Sequence, residues 1–293
     1  MKKTSFLIAC LIQLIFLGSC STARVSFPTS DHSIYDVPYA SGYPGDEAMK
    51  LDAHFPDGAH GLPVLVYIHG GGWTEGDKSQ MDPWARRMSA RGYVVFNVNY
   101  RLAPQYPFPA AVNDCLGALA WVREHAAEYG GDASRLGVTG GSAGGHLTAL
   151  VSSAAGDPFW KPTGHETASL AGAVKAQVPF FGVYDFSRND VIHWIGLNRK
   201  FLGGTEKQLP ENYRLASPIN FVQSAPPTLL VCGKLDPLYP PQSNLYYRAL
   251  REAGVEAEYV KYPFETHGFD FHFQGKDSRD AFDRMMEFFD RHL

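Results

Sequence analysis

The sequence predicts an α/β fold, a mostly parallel central sheet with helices on both faces. Three observations carry that reading. Apolar, β-branched runs alternate with helical patterns along most of the 293 residues. Those runs are apolar on both faces, as strands buried between two helical layers must be. Five glycines crowd around one serine, Ser142, in the stretch GVTGGSAGGHLTAL from Gly137 to Leu150, directly before a helical pattern. Glycine weakens helices and strands alike by roughly 0.5–1 kcal/mol per site, so the crowding marks a point where backbones approach each other closely.

Taken in order, residues 33–56 hold short alternating stretches such as Met49-Lys50-Leu51-Asp52-Ala53-His54-Phe55, the pattern of antiparallel strands. Strands are then expected at Pro63–His69, Tyr93–Asn99, Leu136–Gly140, Ala173–Tyr184, Thr228–Cys232 and Ala257–Tyr262. Helices are expected between and after them, at Asp82–Arg91, Ala110–Tyr129, Ala143–Ala155, Gln242–Ala253 and Ser278–Arg291. Residues 185–223 break the alternation. They carry Trp194, Phe201, Leu202-Gly203-Gly204 and Tyr213 without a clean strand, so a small cap excursion over the carboxyl end of the sheet is expected after a strand ending near Asp185. Without an internal repeat or a shift in composition, residues 32–293 read as one α/β domain.

The amino-terminal segment reads differently. Lys2 and Lys3 precede an apolar run from Phe6 to Leu17, shorter than the ~20 residues a membrane-spanning helix needs. Residues 1–19 therefore read as an export signal. Leu17-Gly18-Ser19-Cys20 resembles a bacterial lipoprotein box, in which Cys20 is diacylated and becomes the first residue; an ordinary cleaved signal is the competing reading. The polar, Pro-punctuated residues 20–31 would then tether the domain to a membrane. Ser21 resembles the outer-membrane sorting pattern of a Gram-negative cell.

With 45% hydrophobic, 13% aromatic and 19% charged residues, the chain is a folded, core-forming protein rather than a disordered one. Removing the leader takes two lysines, leaving 24 basic against 30 acidic residues and a formal charge of −6, which gives no footing for a nucleic-acid partner. Cys115 and Cys232, in a helical pattern and at the end of an apolar strand, read as buried free thiols rather than a disulfide framework. No His, Cys or Asp pair has metal-ligand spacing with helical support, so no metal is expected.

Ser142 sits where a strand meets a helix, the edge at which open parallel sheets bind ligands. Gly140-Gly141-Ser142-Ala143-Gly144 fits G-x-S-x-G, the pattern of a nucleophile elbow. Three other features agree with it. His69-Gly70-Gly71-Gly72-Trp73 follows a strand immediately, and bare amides of Gly71 and Gly72, with that of Ala143, are expected to form an oxyanion hole. His69 is expected to brace the loop. Asp236, in Gly233-Lys234-Leu235-Asp236-Pro237, follows another strand and can orient an imidazole, with Asp185 as the rival acid. His267, in Thr266-His267-Gly268-Phe269, lies between the last strand and the last helix, with His272 as the rival base. His146, His165 and His193 precede Asp236 and would break the order serine, acid, histidine.

With these motifs on the page, the chain resembles the α/β-hydrolase esterases, in particular the bacterial feruloyl-esterase-like and hormone-sensitive-lipase-like carboxylesterases. The likeness runs from about Leu51 to the carboxyl terminus and includes Asn99-Tyr100-Arg101-Leu102-Ala103-Pro104, Pro107-Phe108-Pro109-Ala110-Ala111, and Asp114 with Trp121. Gly141 stands where the lipase-like branch carries Asp, and that branch's long amino-terminal cap has no counterpart; both point toward the compact feruloyl- or acetyl-esterase-like branch. The resemblance implies a cofactor-free serine carboxylesterase acting on short-chain acyl esters through Ser142, Asp236 and His267. An exported, lipid-anchored form of it would de-esterify extracellular polysaccharides. Trp73, Tyr106 and Trp194 are candidate pocket walls, with core packing the competing reading for each. The alternatives are an arylformamidase-like amidase and a non-catalytic surface binding module.

Overall fold

The computed structural model describes residues 31–166, 168–188, 196–238 and 242–293. The export signal, Cys20 and nearly all of the tether fall outside the described residues. The strands are β1 (Asp31–Pro38), β2 (Lys50–Pro56), β3 (Leu62–Ile68), β4 (Val94–Val98), β5 (Gly131–Gly141), β6 (Val174–Phe180), β7 (Thr228–Gly233) and β8 (Ala257–Tyr262). They form one eight-stranded sheet in the order β1-β2-β4-β3-β5-β6-β7-β8. β2 pairs antiparallel with β1 and β4, and all later neighbours pair parallel. This is the mostly parallel α/β sheet expected from the alternating pattern.

The helices are α1 (Asp82–Ser89), α2 (Ala110–His125), α3 (Ala143–Ala154), α4 (Leu197–Leu202), α5 (Pro210–Leu215), α6 (Ser243–Glu252) and α7 (Lys276–His292). The two-residue period of a strand divides the core between its faces. Along β3, Val64, Val66 and Ile68 enter the core that holds Leu116 of α2 and Leu147 of α3. Leu65 and Tyr67 enter the other, with Trp84 of α1 and Met285 and Phe289 of α7. Cys115 and Cys232 are buried free thiols. Among the described residues, no helix is long and apolar enough to cross a membrane.

Three boundaries differ from the sequence expectation by more than two residues, each for a tertiary reason. The helix from Ala110 stops at His125 and tightens into a 3₁₀ turn over Ala126–Tyr129, because Gly130 turns left-handed with φ 79° to pass beneath Ala59. β5 starts five residues before Leu136, at Gly131, and bulges as it comes into register with β3. β6 ends at Phe180, well before Asp185: Phe181 takes φ 36° and Gly182 packs directly on the backbone of α3. Asp185 therefore does not end a strand. Beyond it, α4, α5 and a 3₁₀ segment at Pro218–Ser224 form the described part of the excursion.

The parallel register levels the strand ends. Ile68 pairs with Gly140, Gly141 with Phe180, and Gly233 with Tyr262. The loops after β3, β5, β7 and β8 consequently open along one edge, where an open α/β sheet presents its site.

Candidate active site

The elbow explains its own composition. Ser142 stands between β5 and α3 with φ 59° and ψ −118°, outside the regions that side-chain-bearing residues favour, a conformation that costs on the order of 1–3 kcal/mol. Surrounding contacts hold it there. Its amide donates to Phe180 O at 3.0 Å, and its carbonyl accepts from the His146 amide at 2.9 Å. A Cβ at Gly140 would fall 2.4 Å from Ile68 O, and one at Gly144 would fall 2.0 Å from the same oxygen. Only bare backbone lets the start of α3 descend onto the end of β3.

His267 meets both expected partners. The Ser142 hydroxyl donates to His267 Nε2 at 2.8 Å, and His267 Nδ1–H donates to Asp236 Oδ2 at 2.8 Å. The carboxylate selects that tautomer, since only a protonated Nδ1 can donate to it. Asp236 is fully buried at its side chain and accepts a second bond from the Leu238 amide at 2.8 Å, while 19% of the His267 side chain is exposed. Burial pushes His267 downward, but the charge and hydrogen bond of Asp236, with the charge of Asp270, outweigh it and raise the imidazole above its ordinary pKa. The arrangement favours the protonated ring.

The loop after β3 lies against Ser142, for a Cβ at Gly70 would come within 3.4 Å of its Cβ. Gly71, Gly72 and Trp73 take φ values of 109°, 58° and 62° in succession. The Gly71 carbonyl accepts from the amides of Thr74 and Glu75, each at 3.1 Å, which rolls the loop into a turn. Among the described residues, the amides of Gly71 and Gly72 have no acceptor. Ala143 is the first residue of α3, where an amide has no intrahelical partner.

His69 braces this loop. Its ring stacks on Tyr100 with centroids 4.3 Å apart, Nδ1–H donates to Gly70 O at 2.7 Å, and burial pushes it down to about 4. Of the two readings of Trp73, core packing holds. It is 1% exposed, stacks on Phe201 at 4.6 Å and donates its indole N–H to His146 Nδ1 at 3.0 Å, so it is core rather than pocket wall. Tyr106 is half-buried and packs on Gly45, Arg101 and Gln105, away from Ser142, His267, Asp236 and the glycine loop. Trp194 lies outside the described residues.

The rivals stand apart from the site. Asp185 accepts from the amide and hydroxyl of Ser187 in a local turn, and His272 is exposed with no bond to Ser142 or Asp236. Two residues at the site were given no role from sequence. His146 is buried, with Trp73 on one ring nitrogen and Ala216 O accepting from the other at 2.8 Å. Asp270 is a buried carboxyl three residues past His267, and its lone charge within the aromatic run Phe269–Phe273 was the available signal. Leu197 of α4 lies over Gly72, with its methyl groups 3.3 and 3.4 Å from where a Cβ would stand. Among the described residues, no group of three or more His, Cys, Asp or Glu side chains is placed to hold a metal ion.

Residues 51–250 match the BD-FAE family. The chain belongs to that family. Esterase LipQ of Mycobacterium tuberculosis is 38% identical over 245 residues, covering 80% of this chain and 57% of LipQ. Carboxylesterase NlhH of the same organism is 34% identical over 244 residues, covering 78% of this chain and 73% of NlhH. A solved structure titled as a truncated carbohydrate esterase from gut microbiota superposes with a TM-score of 0.76 at 26% identity, covering 91% of this chain and 99% of that one. The chain thus spans about half the length of several curated relatives it matches, and its BD-FAE sheet is that of the α/β-hydrolase esterases.

Proposed function

We propose that this BD-FAE protein is a serine carboxylesterase for short-chain acyl esters, with Ser142 as nucleophile, His267 as general base and Asp236 as its orienting carboxylate. The observation that carries the reading is the unbroken hydrogen-bonded run from a left-handed serine through an imidazole to a buried carboxylate. Ser142 Oγ attacks the ester carbonyl while His267 Nε2 takes its proton, and the negative charge that develops on the carbonyl oxygen falls among the amides of Gly71, Gly72 and Ala143. The imidazolium then gives its proton to the departing alcohol. Water, activated by the same ring, releases the acid and restores Ser142.

The names of LipQ, NlhH and the gut carbohydrate esterase support ester chemistry. The last of these, together with the leader-like residues 1–19 and the lipoprotein-box resemblance at Cys20, supports acyl groups on extracellular polysaccharides as substrates of a membrane-tethered enzyme.

Hydrolysis of nitrophenyl esters from C2 to C8, alongside acetylated xylan and feruloyl sugars, tests the assignment. The wild-type protein should release nitrophenol, and Ser142→Ala should lose on the order of 10⁵-fold or more in kcat; equal rates in the two would sink it. Labelled palmitate should enter the wild-type chain expressed in a bacterium and not a Cys20→Ala form, and equal labelling would contradict the anchor.

A further inference from the structure

A second carboxyl group lies against the proposed triad. Asp270 sits in the one-turn helix Phe269–Phe271, three residues beyond His267, and is 1% exposed. That turn folds the side chain back under the elbow. A Cβ at Gly141 would stand 2.9 Å from Asp270 Oδ2, so the carboxyl occupies the space that a side chain on the residue before Ser142 would need. Ser278 of α7 donates to the Asp270 carbonyl at 3.1 Å and pins the turn.

The carboxyl is poorly served by hydrogen bonds. Tyr67 of β3 reaches Oδ2 with its hydroxyl at 3.5 Å and the amides of Phe271 and Asp270 itself favour the ionised carboxyl, while Oδ1 makes no hydrogen bond among the described residues. A buried carboxylate left in this state is costly, so it does not earn its place as a structural tie. The titratable groups that face it are Tyr67 from β3 and His267 from its own loop, while the elbow presents Gly141, the end of β6 presents Phe181 and α7 presents Ser278.

We propose that Asp270 is a positioning residue for acyl transfer, acting through His267: its buried carboxylate is a second negative charge beside the imidazole and helps to hold the imidazolium formed as Ser142 attacks. The proposal rests on the reading of His267 as the base. Burial pushes the Asp270 carboxyl up to about 6 against the pull of His267, and the charge of Asp270 adds to that of Asp236 in raising His267.

The test is the pH profile of kcat/KM for wild type and Asp270→Asn, with an NMR titration of the His267 ring in both. Removing the charge should lower the His267 pKa, moving the acid limb and the ring titration down by about one pH unit. The plateau should fall by up to about tenfold through kcat, with KM unchanged. A merely structural role would lower activity at every pH and leave the limb in place, and that outcome, or an unshifted ring titration, overturns the proposal. Tyr67→Phe provides a second route should Asp270→Asn fail to fold. Loss of the hydroxyl raises Asp270 itself, so the limb should move in the same direction by a smaller amount, and an unmoved limb there is equally fatal. Full activity in Ser142→Ala would instead defeat the esterase reading, leaving the ring titration to decide whether Asp270 and His267 are coupled.

Discussion

His267 and His146 are both imidazoles held within one site, yet the first is raised above its ordinary pKa and the second is pushed down to about 4. Their surroundings account for the difference. His146 lies on α3 one turn past Ser142, enclosed by Trp73, Phe186 and Phe201, and its nitrogens meet an indole N–H and a peptide carbonyl. Burial outweighs the pull of the Ala216 carbonyl and keeps the ring neutral, so it serves as a two-ended strut between the glycine loop and the cap excursion. His267 hangs from the loop after β8 and faces Asp236 by a hydrogen bond and Asp270 through space. Carboxylates hold the same side chain ready for the proton-accepting role proposed for it, where an indole and a carbonyl make it a strut.

The largest test of this contrast converts the first kind of histidine toward the second. Asp236→Asn keeps the shape around His267 but removes its charge partner and scrambles the tautomer, and kcat should fall by on the order of 10⁴-fold. A loss of only a few-fold in nitrophenyl ester turnover would make Asp236 dispensable. Next comes the loop that His146 supports. At Gly71, with φ 109°, a Cβ would sit 2.0 Å from Glu75 O, so Gly71→Ala must shift the loop, and kcat should drop about 10²–10³-fold, the worth of one oxyanion donor. KM that rises while kcat holds would place the loop in binding instead.

The neutral pair sharpens the comparison through stability. The folded pKa values of His146 and His69 are both depressed to about 4 by burial, so the unfolded chain binds more protons than the folded one as pH drops below about 6.5. Stability is full above about 6.5 and should fall by about 3 kcal/mol per histidine as pH falls to about 4. His267 carries the opposite sign: its raised pKa adds stability at acid pH that is lost as pH rises through the folded value. Urea unfolding across this range should show a shallower acid slope in His146→Gln than in wild type, and an unchanged slope would remove His146 from the account. Smallest of all, His146→Phe leaves the Trp73 indole and the Ala216 carbonyl unpaired and should cost about 1–3 kcal/mol, whereas glutamine, which can both accept and donate, should restore much of it.

The contrast was only half legible in the sequence. Ser142, Gly71, Gly72 and His267 announce themselves because their turns tolerate few residue types, and Asp236 because it follows an apolar strand on a short loop. Trp73 did not disclose its burial, since an aromatic beside a glycine run serves pocket and core equally well until Phe201 and His146 arrive from elsewhere in the chain. The end of β6 was misplaced for a similar reason: Phe181 to Asp185 reads as strand until Gly182 is required to pack on α3.

By itself the sequence determined the alternation of strands and helices, the edge of the sheet on which the glycine turns fall, and the chain order of serine, acid and histidine. These are local matters, set by side-chain periodicity and by which residues a tight turn can accept. Tertiary structure alone decided which histidine faces a carboxylate and which faces an indole, and that Asp270 fills the space beside Gly141. Electrostatics inside a protein depends on distances between atoms, and those distances exist only once strands far apart in the chain have been brought side by side.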